Sequence, residues 1–162
     1  QSPKVPDDAT LVVVAGPRTD FFPPEIDALK TYLGRGGKLL VLVDPPFEDE
    51  GEWERLVDGL VKAHKRWPGG IFALWYPLKE PREVDAFAKA LRATGIAKML
   101  RAELTIRKPS TPPRLYGTGM IVVNPPYVLA DELNILLPAL AKVLADEGRG
   151  QSRIDWLRGE AA

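Results

Sequence analysis

The sequence predicts an α/β protein: a single Rossmann- or flavodoxin-like sheet, mostly parallel, with an antiparallel distal hairpin and flanking helices. Short runs rich in valine and leucine, TLVVVAG (10–16) and KLLVLV (38–43), suit strands buried on both faces of a parallel sheet. Segments with apolar residues at helical spacing alternate with such runs. Prolines and glycines fall between the two kinds of segment, where they start and stop helices.

In chain order, 10–16 is the first strand, and Pro23-Pro24-Glu25 opens a helix with proline and an acid in its first turn. Ile26, Leu29, Tyr32 and Leu33 form its apolar stripe, and Gly34, Gly36 and Gly37 end it. The run 38–43 closes a βαβ unit. Residues 49–67 read as a helix with Trp53, Leu56, Val57, Leu60 and Val61 on one face. GIFALWY (70–76) is the third strand. Residues 81–94 form a helix carrying Val84, Phe87, Ala88 and Leu91, ended by Gly95. Segments 98–106 and 118–123 pair as an antiparallel hairpin across a proline-rich link, 108–114. Residues 130–145 form an apolar helix that Pro138 should kink or interrupt, and 151–157 a last edge strand.

All 162 residues are expected to form one domain. Right-handed crossovers set the first three strands side by side and put the first three helices on one face. That leaves one helix for the other face and makes 10–16 an edge of central-strand composition. An uncovered apolar face or edge favours self-association, so a homodimer is expected.

Composition removes several function classes. No cysteine means no disulfide or thiolate metal site, and the single histidine, His64, leaves no material for a histidine zinc site or a Ser-His-Asp triad. No metal is expected. The apolar runs fall far short of a membrane span, so no membrane partner is expected, and no signal peptide is visible. A formal charge of zero argues against autonomous nucleic-acid binding, apart from a local patch at Lys62, Lys65 and Arg66.

Five blocks carry a resemblance: DPPF (44–47), ALWYPLKEPREV (73–84), ATGIAKMLRAEL (93–104), GTGMIVVNPPY (117–127) and NILLPAL (134–140). From about 44 to 160 the chain resembles the C-terminal half of the bacterial 23S rRNA adenine-N6 methyltransferase family. The resemblance implies a Rossmann-like fold and S-adenosylmethionine as donor. It also implies that Asp44, Pro45, Pro46 and Phe47 hold the target adenine. An exocyclic amine is a poor nucleophile until its protons are engaged. The Asp44 carboxylate and Pro45 carbonyl could accept them, Pro46 would fix the backbone, and Phe47 would stack on the flipped base. Phe47 stands where tyrosine is more usual.

From about 5 to 43, VPDDATLVVVAGPRTDFFPPEIDALKTYLGRGGKLLVLVD resembles a βαβ segment of the auxiliary component of gliding-motility-type ABC transporters. The donor-binding strand–glycine-loop–helix of the methyltransferase family has no counterpart in it. Gly34, Gly36 and Gly37 follow a helix, at the wrong end of the sheet for a ligand. The expectation is therefore a recombined or engineered chimera, a fusion scaffold with a vestigial adenine motif, no cofactor and no autonomous catalysis. Two alternatives stand beside it: an S-adenosylmethionine-dependent adenine-N6 methyltransferase acting on 23S rRNA, and a small-ligand module using the cleft between residues 16–20 and Asp44. Nucleic acid would be a partner only under the first alternative. The two resemblances point to opposite sides of a membrane and leave the compartment open.

Other residues have competing readings. Arg18, Thr19 and Asp20 form a polar cleft with Asp44 or a solvated loop. Trp75 and Tyr76 line a base pocket or pack beneath the loops. Asn124-Pro125-Pro126-Tyr127 copies the adenine motif but reads as a strand end before a helix. His64 is expected to face solvent. Glu48, Asp49, Glu50 and Glu52 suit a helix start rather than a metal.

Overall fold

A computed structural model describes residues 3–16 and 19–159. The strands are β1 (Val12–Ala15), β2 (Leu39–Val43), β3 (Ile71–Leu78), β4 (Met99–Thr105), β5 (Gly117–Val123) and β6 (Gln151–Arg158). The helices are α1 (Pro23–Gly34), α2 (Glu52–Arg66), α3 (Pro81–Ala93) and α4 (Leu129–Leu144). Each lies where the apolar periodicity puts it. Glu25 accepts a hydrogen bond from the Phe22 N–H at 2.8 Å and so closes the first turn of α1. Gly51, at φ 78°, turns the chain into α2. The α4 helix continues across Pro138, so of the expected kink or interruption the interruption does not occur.

The described strands make one sheet in the order β1-β2-β3-β5-β4-β6. The expectation of a mostly parallel sheet holds for its first half only. β1, β2 and β3 run parallel, whereas β3–β5, β5–β4 and β4–β6 are antiparallel. The reason is topological. The α3 crossover carries the chain past one strand position, and β5 folds back into the gap.

One face of the sheet holds the main core, in which Phe72, Leu74, Tyr76, Leu78, Ile121 and Val123 meet Leu56 and Leu60 of α2 and Phe87 and Leu91 of α3. The α4 helix packs on β4 and β6. Its buried residues, Leu137 and Ala141, stand outside that core, which sets it over the opposite face with Leu100 and Ala102. A side chain at Gly150 would collide with the Ala141 carbonyl, so glycine lets β6 start directly beneath α4. No described helix covers that face at β1, where Val13 is exposed; Ile135, Leu136, Val143 and Leu144 are exposed on α4.

Candidate functional site

The β2 strand ends at Val43, and Asp44-Pro45-Pro46-Phe47 carries the chain over the carboxyl end of the parallel strands. Ligands bind at this edge of open α/β sheets. Asp44 and Pro46 are exposed, and Pro45 is half-buried. Phe47 takes a left-handed backbone, φ 54°, which an aromatic residue adopts only when its surroundings hold it there. Its ring lies 4.6 Å from Trp53 and 6.0 Å from Trp75 between centroids. Trp53 in turn meets Phe87 at 4.9 Å and Tyr76 at 6.2 Å. The motif thus rests on an aromatic cluster drawn from β3, α2 and α3.

Against this cluster lies an open cavity of about 730 Å³, lined by Phe47, Trp53, Pro77, Phe87 and Pro113 among others. Its rim is strongly acidic: Glu48, Asp49, Glu50, Glu52, Glu54, Asp58, Glu80 and Glu83 face a single cation, Lys79. Such a lining repels phosphate and accepts hydrogen from amines. The acids make no metal centre, for no group of three candidate ligands occurs among the described residues. Glu52 is buried and receives the Asp49 N–H at 3.4 Å, a helix-start contact.

Of the other sequence candidates, Trp75 is half-buried beside Phe47, whereas Tyr76 is fully buried and takes part in packing. Thr19 and Asp20 are exposed, and Arg18 lies outside the described residues. The cavity beside β1 is lined by Val12–Ala15, Phe21 and α1 and does not include Asp44, so the small-ligand cleft gains no support. His64 is half-buried, so part of its ring meets solvent, next to Ala63, which packs against the core. Lys62, Lys65 and Arg66 lie toward the end of α2, about 6–12 Å along its axis beyond Asp58, the last α2 residue that lines the cavity.

Asn124, at φ 51°, donates to the carbonyls of Pro68 and Gly70 at 2.7 and 2.8 Å. It ties β5 to the start of β3, at the opposite sheet edge from Asp44. The second Pro-Pro run is thus a structural bracket, although Tyr127 is 93% exposed.

Sequence reading missed a buried polar network. Arg101, 1% exposed, donates two hydrogen bonds to Asp155, each 2.8 Å, and stands 3.7 Å from Glu103. Tyr76 donates to Glu103 at 2.8 Å. The signal was present: Arg101 and Glu103 on β4 face Asp155 and Arg153 on β6 in register, opposite charges in complementary order. Burial opposes the charge on Arg101 and on Asp155, but their mutual hydrogen bonds outweigh it and hold both ionised. Burial and the Glu103 charge push the Tyr76 hydroxyl far up, so it stays a donor.

The glycines at 34–37 do not fit a methyl-donor cradle. Gly36 makes the left-handed turn after α1, and a side chain on Gly37 would collide with the Tyr32 ring. Their close packing serves the turn, and no donor cradle is assembled by them.

The Asp-Pro-Pro-Phe turn lies over the carboxyl ends of the parallel strands and places Phe47 on an aromatic-backed cavity, in a Rossmann-like α/β protein. The family model described as ribosomal RNA large subunit methyltransferase D, RlmJ, matches residues 25–158, and the chain belongs to that family. A Haemophilus influenzae protein called ribosomal RNA large subunit methyltransferase J is 36% identical over 121 residues, 75% of this chain and 43% of that one. An Escherichia coli K12 protein of the same name is 36% identical over 118 residues, 73% of this chain and 42% of its own length. The chain therefore spans less than half the length of the curated relatives it matches. The crystal structure of LPL1258 from Legionella pneumophila superposes with a TM-score of 0.66 over 74% of this chain and 43% of that one, at 23% identity, which shows the fold.

These findings correct the chimera reading. The family match begins at residue 25, inside α1, and crosses the boundary expected at Asp44 without a break. No support exists for a transporter segment. The non-catalytic fusion scaffold is overturned with it, because the apparent change of family came from reading a short generic βαβ unit. Buried parallel strands and their crossover helix look alike in many α/β proteins.

Proposed function

We propose that this chain carries the adenine-recognition part of an S-adenosylmethionine-dependent adenine-N6 methyl transfer to large-subunit ribosomal RNA. The observation that carries the reading is Phe47, held at positive φ against Trp53 and Trp75 on the cavity rim, directly after Asp44-Pro45-Pro46. S-adenosylmethionine, when bound by the whole enzyme, supplies an electrophilic methyl group.

This chain's residues prepare the nucleophile. The lone pair of an adenine amine is delocalised into the ring. The Asp44 carboxylate accepts one amine proton and the Pro45 carbonyl the other, which draws the nitrogen toward a tetrahedral, localised lone pair. Phe47 stacks on the extruded base and offsets part of its unstacking cost, a few kcal/mol. The acidic rim keeps phosphates out of the cavity and leaves the base as the group that enters.

The test is incorporation of labelled methyl from S-adenosylmethionine into deproteinised ribosomal RNA, with binding to a 2-aminopurine-bearing RNA hairpin measured in parallel. Base-dependent binding that weakens in Asp44→Ala is expected of this chain, and incorporation lost in Asp44→Ala when the donor-binding part of the enzyme is present. Absence of base-dependent binding would overturn the reading.

A further inference from the structure

We propose that the β4–β5 loop, residues 107–115, is a rigid RNA-gripping arm whose Lys108 and Arg114 contact the phosphates flanking the base held at Asp44–Phe47. The inference rests on that base-holding reading and adds to it a surface for the strand.

The loop reads RKPSTPPRL, and every one of its residues is exposed. It is nevertheless tied down at its root. The Ile106 N–H donates to the Tyr116 carbonyl at 2.9 Å, and the Tyr116 N–H to the Leu78 carbonyl at 2.8 Å. Arg107 is paired with Asp146 at 3.3 Å. The arm therefore rises from the end of β3, at the same sheet edge as Asp44, and its Pro113 lines the same cavity as Phe47 and Lys79. Three prolines stiffen it, which lowers the entropy lost when it grips a strand.

Charge is divided sharply at this edge. The acids line the cavity, whereas the exposed arm holds Arg107, Lys108 and Arg114 and no acid. Lys79, Lys108 and Arg114 take part in none of the ion pairs among the described residues. Exposed cations without partners beside a pocket that repels phosphate suit a ligand with an uncharged planar part and an anionic backbone. An RNA strand with one base turned inward has that form. The other basic cluster, Lys62, Lys65 and Arg66, lies further along α2 than any residue lining the cavity, and it is the comparison for the arm.

The experiment measures fluorescence anisotropy of a short labelled RNA hairpin with one unpaired adenine, titrated at several salt concentrations. Lys108→Gln/Arg114→Gln is expected to weaken binding and to make the slope of log affinity against log salt shallower by about one and a half, two phosphate contacts at roughly 0.7–0.9 each. Lys62→Gln/Lys65→Gln/Arg66→Gln should leave the slope as it is. An unchanged slope in the arm variant, a loss confined to the α2 variant, or no hairpin binding by the unaltered chain at low salt would each overturn the arm. Phe47→Ala separates the two readings. It should abolish the 2-aminopurine response while the salt slope stays intact, and if the response survives while the arm variant still loses slope, the base-holding reading fails and the arm stands.

Discussion

Asp155→Ala tests the buried network most directly. Arg101 is 1% exposed and its two short hydrogen bonds both go to Asp155; the next acceptor, on Glu103, is 3.7 Å away. Truncating Asp155 therefore leaves a guanidinium without its main partner in the interior. Breaking a buried pair in this way costs about 3–5 kcal/mol. Asp155 itself is about one-third exposed, so water admitted at that side pulls the estimate toward the lower bound of about 3 kcal/mol. Urea unfolding should show that loss, and a thermal midpoint lower by at least about 6 °C should accompany it. Replacing both partners, as Arg101→Met/Asp155→Leu, removes the stranded guanidinium and should recover part of the stability, the remainder being lost because buried Glu103 keeps only Tyr76 and Arg153 as partners among the described residues. A loss below about 1 kcal/mol in Asp155→Ala would refute the argument that this carboxylate holds the buried cation.

Three further outcomes are expected. Gly119→Ala should cost about 1–3 kcal/mol by urea unfolding, because a side chain there would run into the Tyr76 ring that crosses from β3. On acidification, Asp155 contributes stability that is present above its unfolded pKa, about 3.9, and is lost as pH falls through its depressed folded value. Urea midpoints of the unaltered chain should therefore fall below about pH 4, and less steeply in Arg101→Met. The exposed Val13 edge and the exposed apolar residues of α4 should bring two copies together. Sedimentation at high concentration should show a dimer, and a clean monomer there removes that expectation.

Much of the fold was legible because it depends on local pattern. The runs 10–16 and 38–43 became β1 and β2, the stripe Trp53-Leu56-Leu60 became the buried side of α2, and Pro81 opened α3. The hairpin of β4 and β5 and the edge position of β6 also followed from alternation and order. The opening βαβ unit misled, since its few apolar residues suit many α/β families and carry little identity of their own.

By itself the sequence determined the α/β alternation, the Asp-Pro-Pro-Phe turn after β2 and the family blocks downstream, all of which are features of residues close together in the chain. Tertiary structure alone decided the rest. It turned the far half of the sheet antiparallel, closed Trp53 and Trp75 onto Phe47, paired Arg101 with Asp155, and set the 107–115 arm beside the acidic cavity. These are contacts between residues far apart along the chain. Their geometry comes from burial and strand register, which no local pattern encodes.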